Sequence, residues 1–419
     1  MSAIQAVRAR QILNGLGHPS IEVIIWLDDG RSVVSSVPTQ PFYNPDHAHK
    51  ITDQESDKFM GLGVQQASAN INQKIAPQLE GQSPIKQTHL DQILVDLDGT
   101  QNKTKLGANT ILAVSKAAFK AGALSVNLPL YSYLQQKYEL TDYLSIPNCI
   151  FDVIHGGELG NDNLDLREFQ IIPASHMDFP QALNVAAVVR QKIKDTVEAK
   201  GGNNCESITG GLLPKLNANV DVFELILEAI KTTDFTFAQE LFFGIDAGAD
   251  EFAHDSKYRL RDKADGYSNK ELIEFYKNIR EMYKVIYIED PFSSRDHKGW
   301  QRFTEELGST TRIAGDLLFK GSIPEIKKGI KKNLANTLVI KPLDIGTISE
   351  TMQLIKMAQE AEWQVVISKE PGETVDDFIA DLAVGVGADY VKFGPPLRAE
   401  NTNKYNRFIH IHQEIQQLA

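Results

Sequence analysis

The sequence predicts an α/β barrel carried behind a small α+β domain, and three observations lead there. The chain has 419 residues, more than one ordinary compact domain holds. Beyond residue 145, short β-branched runs end in a charged residue and are followed by amphipathic stretches. The charged ends Asp246, Glu289, Asp316, Lys341, Lys369 and Lys392 follow one another at intervals of 43, 27, 25, 28 and 23 residues. A strand plus a helix at such intervals marks a parallel sheet, and this many units favour a closed barrel.

Taken in order, residues 3–12, 21–28 and 32–37 alternate and are rich in β-branched side chains. Gly17-His18-Pro19 and Asp29-Gly30 separate them, so an antiparallel meander is expected. Segment 38–52, rich in Pro, His and polar residues, reads as an exposed loop. Helical patterns follow at 55–79 and 107–125, the second with Leu112, Ala113, Ala117, Ala118 and Ala121 at helical spacing. Strands are expected at 242–246, 285–289, 311–316, 338–341, 365–369 and 390–392. Helices are expected at 269–284, 323–333, 346–361 and 374–386. The expected division is a cap domain over 1–138 and a barrel over 139–419.

Composition narrows the function. With 43 basic and 55 acidic residues the net charge is −12, and no basic block offers a nucleic-acid or membrane surface. No apolar run is long enough to span a membrane or serve as a secretory signal. Cys149 and Cys205 are the only cysteines, so no disulfide framework or CxxC pair exists, and a reducing cytoplasm is the expected compartment.

The strand ends carry the chemistry. In such barrels they converge on one mouth, which here would gather three carboxylates and three lysines. Oxygen ligands from Asp246, Glu289 and Asp316 suit a hard cation, above all Mg²⁺. Lysines facing that metal have their ammonium form disfavoured, which makes one of them a usable base. One charged residue ending a strand is ordinarily its solvated end; six in succession, sorted by sign, point to a metal-binding mouth. Glu168, before Phe169-Gln170-Ile171-Ile172, is a seventh charged group at a strand edge and weak evidence by itself.

Longer motifs then resemble one family. VDLDGTQNKTKLGANTILAVSKAAFKAG (95–122), LDLREFQIIP (164–173), YIEDPF (287–292), AGDLLF (314–319), PGETVDDFIADLAVG (371–385) and VKFGPP (391–396) resemble segments of enolase, phosphopyruvate hydratase, in order and from end to end. The resemblance implies a small α+β cap on an eight-stranded barrel. It also implies Mg²⁺ held by Asp246, Glu289 and Asp316, and Lys341 as the base that takes the α-proton of 2-phosphoglycerate. Lys392 would bind the substrate carboxylate. A proton beside a carboxylate is a very weak acid, so its removal needs metal and cations to stabilise the enolate.

Other family positions depart. The glutamate of Gly-Asp-Glu-Gly-Gly, which helps expel the β-hydroxyl, is Thr209 within Ser207-Ile208-Thr209-Gly210-Gly211, and a hydroxyl is no acid at neutral pH. A loop histidine is Leu159, and an N-terminal arginine is Leu16. Ser-His-Arg-Ser, which grips carboxylate and phosphate, is Ser368-Lys369-Glu370-Pro371, so Glu370 puts a like charge where the phosphate clamp stood. The metal-binding lid is Thr39-Gln40-Pro41-Phe42-Tyr43-Asn44, and Lys-x-Asn-Gln-Ile-Gly has become Lys341-Pro342-Leu343-Asp344-Ile345-Gly346.

Three readings stay open. The chain dehydrates 2-phosphoglycerate weakly through Glu168 and rearranged loops, or the activity is lost and a binding or assembly role remains. Alternatively, Mg²⁺-assisted proton abstraction serves another carboxylate substrate, with Lys369 facing Lys341 as a second catalytic and substrate-binding lysine. Against that, Lys369 is a solvated strand end or an ion pair with Glu370 or Glu168. The family dimerises through a glutamate and an arginine; Glu22 matches the first and His410 replaces the second, and a homodimer is expected. His47 and His49 read as loop surface, and His410 and His412, two apart on a helix, do not share a face.

Overall fold

The computed structural model describes residues 2–39, 48–160, 163–255 and 257–418. Most of the lid segment, from Gln40 to Asn44, and His47 lie outside the described residues. The chain opens with a meander, β1 (Ile4–Leu13), β2 (Pro19–Leu27) and β3 (Ser32–Ser36), paired antiparallel in the order β1-β2-β3. Helices α1 (Gln87–Asp98), α2 (Ala108–Ser125) and α3 (Leu130–Tyr138) follow it. Fifteen of the eighteen residues of α2 are buried, which its run of small and apolar side chains permits. The expected helix over 55–79 begins only at Gln65 and contains a π-helical turn over Ile71–Ile75.

The barrel has eight strands. β4 is interrupted once, as Asn148–Cys149 and Phe151–His155. The others are β5 (Glu168–Pro173), β6 (Leu241–Asp246), β7 (Val285–Glu289), β8 (Arg312–Gly315), β9 (Thr337–Ile340), β10 (Gln364–Ser368) and β11 (Tyr390–Lys392). The ring closes through β4, whose first piece pairs with β11 and whose second pairs with β5. Ile150, Ile172, Tyr287, Ala314, Val339 and Val366 fill the lumen as a core of their own, while alternate residues such as Val365 and Ile367 face the outer helices.

The sheet is not all parallel, contrary to the expectation from the strand rhythm. β5 runs antiparallel to both β4 and β6. Among the described residues between β4 and β5 there is only a 3₁₀ turn, Gly157–Leu159, too short for a crossover, and β5 runs back antiparallel against β4. Two helices, α4 (Phe179–Ala199) and α5 (Asn219–Ile230), then lead to β6. From β6 onward each strand is followed by a helix: α6 (Asn269–Tyr283), α7 (His297–Leu307), α8 (Ile323–Lys332), α9 (Ile348–Glu360) and α10 (Phe378–Gly385), with α11 (Ala399–Leu418) last. Start signals are local: Asp178 with Gln181, and Ser268 with Glu271, form capping boxes at α4 and α6. No single helix among the described residues is long and apolar enough to cross a membrane.

Buried ion pairs clamp the small domain to the barrel. Lys116 and Lys120 of α2 reach the Asp376 carboxylate at 3.1 and 2.8 Å, and the Ser36 amide donates to it at 3.1 Å. Lys103 pairs with Glu350 at 3.0 Å and Lys50 with Asp344 at 2.8 Å.

Candidate active site in the barrel mouth

The reversed strand decides which residues share the mouth. Parallel strands bring their last residues there, and β5 brings its first. The register therefore sets His155, Glu168, Asp246 and Glu289 side by side across β4, β5, β6 and β7. Six of the seven positions singled out in the sequence are joined by ion pairs in two groups; Lys369 lies at the rim between them and the β4 side.

Lys392 is the hub of the first group. Its ammonium donates to Glu289 Oε1 at 2.8 Å, Glu168 Oε2 at 3.1 Å and Asp246 Oδ2 at 3.2 Å. Burial opposes the charge, yet these carboxylates hold its pKa well above the ordinary lysine value. Glu289 is wholly buried and takes the Tyr287 hydroxyl at 2.6 Å. Burial pushes its carboxyl up to about 7, against the pull of Lys392 and with the push of Asp246 and Asp316. Arg167, held by Glu251 at 2.6 Å, stands 3.9 Å from Asp246.

The second group is Lys341 ion-paired with Asp316. Burial disfavours the charge, but Asp316, then Glu370, outweigh it and hold the Lys341 pKa above its ordinary value. Because Asp316 is turned to Lys341, it is Asp290 that offers an oxygen within 4.8 Å of those of Asp246 and Glu289. Asp290 was not singled out in the sequence, although it follows Glu289 directly. Its carboxylate accepts the amides of Asp316 and Leu317 at 3.1 and 3.0 Å and so shapes the turn after β8.

This half suits a hard divalent cation. Asp246, Glu289 and Asp316 are buried oxygen donors on three adjacent strands, and the Lys392 ammonium already bridges two of them, so the donors are arranged around positive charge.

The β4 side is built differently. Asp152 and His155, both buried and neither singled out in the sequence, stand beside Glu168. Gln170 Nε2 donates to Asp152 Oδ1 at 3.0 Å and Glu168 Oε2 at 3.2 Å. His155 Nδ1 is 2.8 Å from the Ser207 hydroxyl and 3.2 Å from that of Thr209. Burial, chiefly, pulls the His155 pKa down to about 4, so its imidazole is neutral. A side chain on Gly211 would strike that ring, so glycine is required there. Arg398 fixes the loop through the Ser207 carbonyl at 2.9 Å, and Arg190 through that of Gly210 at 3.2 Å. Thr209 is thus buried and tied to His155 and Ser207.

Lys369 is half-buried, so it is not a fully solvated strand end. Burial lowers its pKa, while Asp152, then Glu168 and Glu373, favour the charge. Glu370 is buried, and burial followed by the facing charge of Asp344 raises its pKa well above the carboxylate range, with Lys341 and Lys50 pulling the other way. Leu16 and Leu159 are half-buried and offer no charge. Glu22 receives Arg10 of its own chain at 2.6 Å, and His410 is exposed.

Comparison with known proteins agrees with this architecture. The family model described as Enolase, N-terminal domain, matches residues 4–134, and that described as Enolase, C-terminal TIM barrel domain, matches residues 143–419. A curated relative named Enolase, from Ehrlichia canis (strain Jake), is 36% identical over 412 residues, covering 98% of this chain and 96% of the relative. Motifs, barrel and mouth agree with both domain matches: the chain belongs to the enolase family.

Proposed function

We propose that this chain keeps the enolase frame for Mg²⁺-assisted removal of a proton next to a carboxylate, and that it dehydrates 2-phosphoglycerate weakly or not at all. The observation that carries the reading is the contrast within one mouth. Asp246, Glu289, Asp316, Lys341 and Lys392 are present and gathered, whereas the position of the family's acid holds a threonine bonded to His155 and Ser207. Asp246, Glu289 and Asp316 would hold Mg²⁺, which when bound supplies stabilisation of negative charge on the substrate carboxylate. Lys341 would take the α-proton and Lys392 orient the carboxylate. Glu168 is the remaining carboxylate near the leaving group, and Glu370 cannot clamp a phosphate.

Lys369 supports a second reading, in which the proton is taken from a non-phosphorylated carboxylate. Its ammonium faces Asp152 and Glu168 instead of a histidine–arginine grip, so a carboxylate without phosphate meets no missing partner there. The activity class is then a lyase or another proton-abstracting enzyme of the same family. A domain division at 138/139, a homodimer and a cytoplasmic setting accompany both readings.

The test is dehydration of 2-phosphoglycerate with excess Mg²⁺, followed by the absorbance of phosphoenolpyruvate, beside Lys341→Ala. Robust turnover that vanishes in the variant would overturn the weak-activity reading. Without turnover, solvent deuterium exchange at the α-carbon of a panel of carboxylates separates the readings: exchange dependent on Lys341 identifies a new substrate, and none on any member leaves a binding or assembly role.

A further inference from the structure

We propose that Asp152, His155 and Glu168 form a second cation site, distinct from the acidic triad and suited to a borderline first-row divalent ion, with Zn²⁺ as the type, more than to Mg²⁺. One ligand atom from each lies within 4.8 Å of the others, and all three residues are buried. A tetrahedral site with bonds of about 2.1 Å needs donors roughly 3.4 Å apart, so a small rotation of one carboxyl closes the set. Two carboxylates and an imidazole match zinc, iron or manganese, whereas Mg²⁺ prefers oxygen alone.

The second observation is the imidazole. His155 is 1% exposed, and its Nε2 has no hydrogen-bond partner among the described residues. Nδ1 faces the Ser207 and Thr209 hydroxyls, so a proton on Nδ1 leaves an unshared pair on Nε2. A ring nitrogen held by an outer hydrogen bond while the other stays open is the arrangement of a metal-ligating histidine. Gln170 plays the same outer part for both carboxylates, donating to each. Two ammonium groups stand nearby. Lys392 touches Glu168 but keeps Asp246 and Glu289 as partners if it is displaced, and Lys369 forms no ion pair among the described residues. They compete with the metal, so the site is weaker than a closed four-ligand zinc site.

The test titrates the chelator-treated full-length protein with Co²⁺ in excess Mg²⁺, reading stoichiometry by calorimetry and nitrogen ligation by visible absorption bands. One Co²⁺ equivalent with those bands is expected in the wild type, lost in both His155→Ala and Asp152→Asn. Absence of that equivalent in the wild type, or its persistence in either variant, overturns the site. Circular dichroism checks each variant; if His155→Ala unfolds, His155→Gln, which keeps a polar group against Ser207, gives the same reading. Metal binding is read without turnover, so failure of this site and failure of the functional reading are told apart.

Discussion

On the β6–β9 side of the mouth, Asp246 and Glu289 end their strands and Asp316 and Lys341 directly follow theirs. On the β4–β5–β10 side, Asp152, His155, Thr209 and Lys369 gather around Glu168, while Glu370 of the same side faces Asp344 and Lys341. Under the proposed function, the first side would serve a requirement common to every substrate of such chemistry, stabilising charge on a carboxylate. The second would meet whatever else the substrate carries, and one barrel can change it while strand pairing and lumen stay intact.

The comparison breaks most readily at Lys341. Lys341→Ala should reduce α-proton exchange on any substrate by ~10²- to 10⁴-fold, read by deuterium incorporation; an unchanged rate would remove the first side from the chemistry. The next effect is on stability and tests whether the mouth depends on the domain clamp. Asp376→Asn leaves Lys116 and Lys120 buried without their carboxylate and should cost about 3–5 kcal/mol in urea unfolding. Burial pushes the Asp376 carboxyl up, but Lys116 and Lys120 outweigh it and hold the folded pKa below the usual range. Its contribution is therefore whole above the unfolded value of about 3.9 and lost as pH falls from there toward the folded value, which acid unfolding of wild type and variant would show.

Smaller effects sharpen the contrast. Thr209→Glu with Glu370→Arg restores an acid and a phosphate partner together, and should raise 2-phosphoglycerate dehydration at least tenfold, on the order of one recovered electrostatic group. No gain would place the deficit in the lid or at Leu16. Thr209→Ala should change any α-proton exchange by less than about threefold, since that hydroxyl serves the loop and His155; a larger loss would make Thr209 part of the chemistry.

Much of this was legible in the sequence because it is periodic. β7 and β11 fall at 285–289 and 390–392 as expected, and α6 and α8 end within a residue of their predicted bounds. The reversed β5 was not legible, because a strand's direction depends on how the connection is spanned, and the turn-forming Gly-Gly and Gly-Asn-Asp-Asn of 156–163 do not by themselves say which way the next strand runs. Asp152 and His155 lie inside the apolar run CIFDVIH, where one charged and one aromatic polar residue give no periodic signal. Their adjacency to Glu168 is a property of register.

The antiparallel pairing of β4 and β5 has a further consequence for what can change at the mouth. Residues 155 and 168 flank the same short excursion, with both its feet planted at the rim. An insertion, deletion or exchange between these two residues can therefore be taken up without shifting any other strand. The helical units that follow lack that freedom, since each must return across the outside of the barrel before the next strand begins. The reversed strand makes this excursion a replaceable cassette.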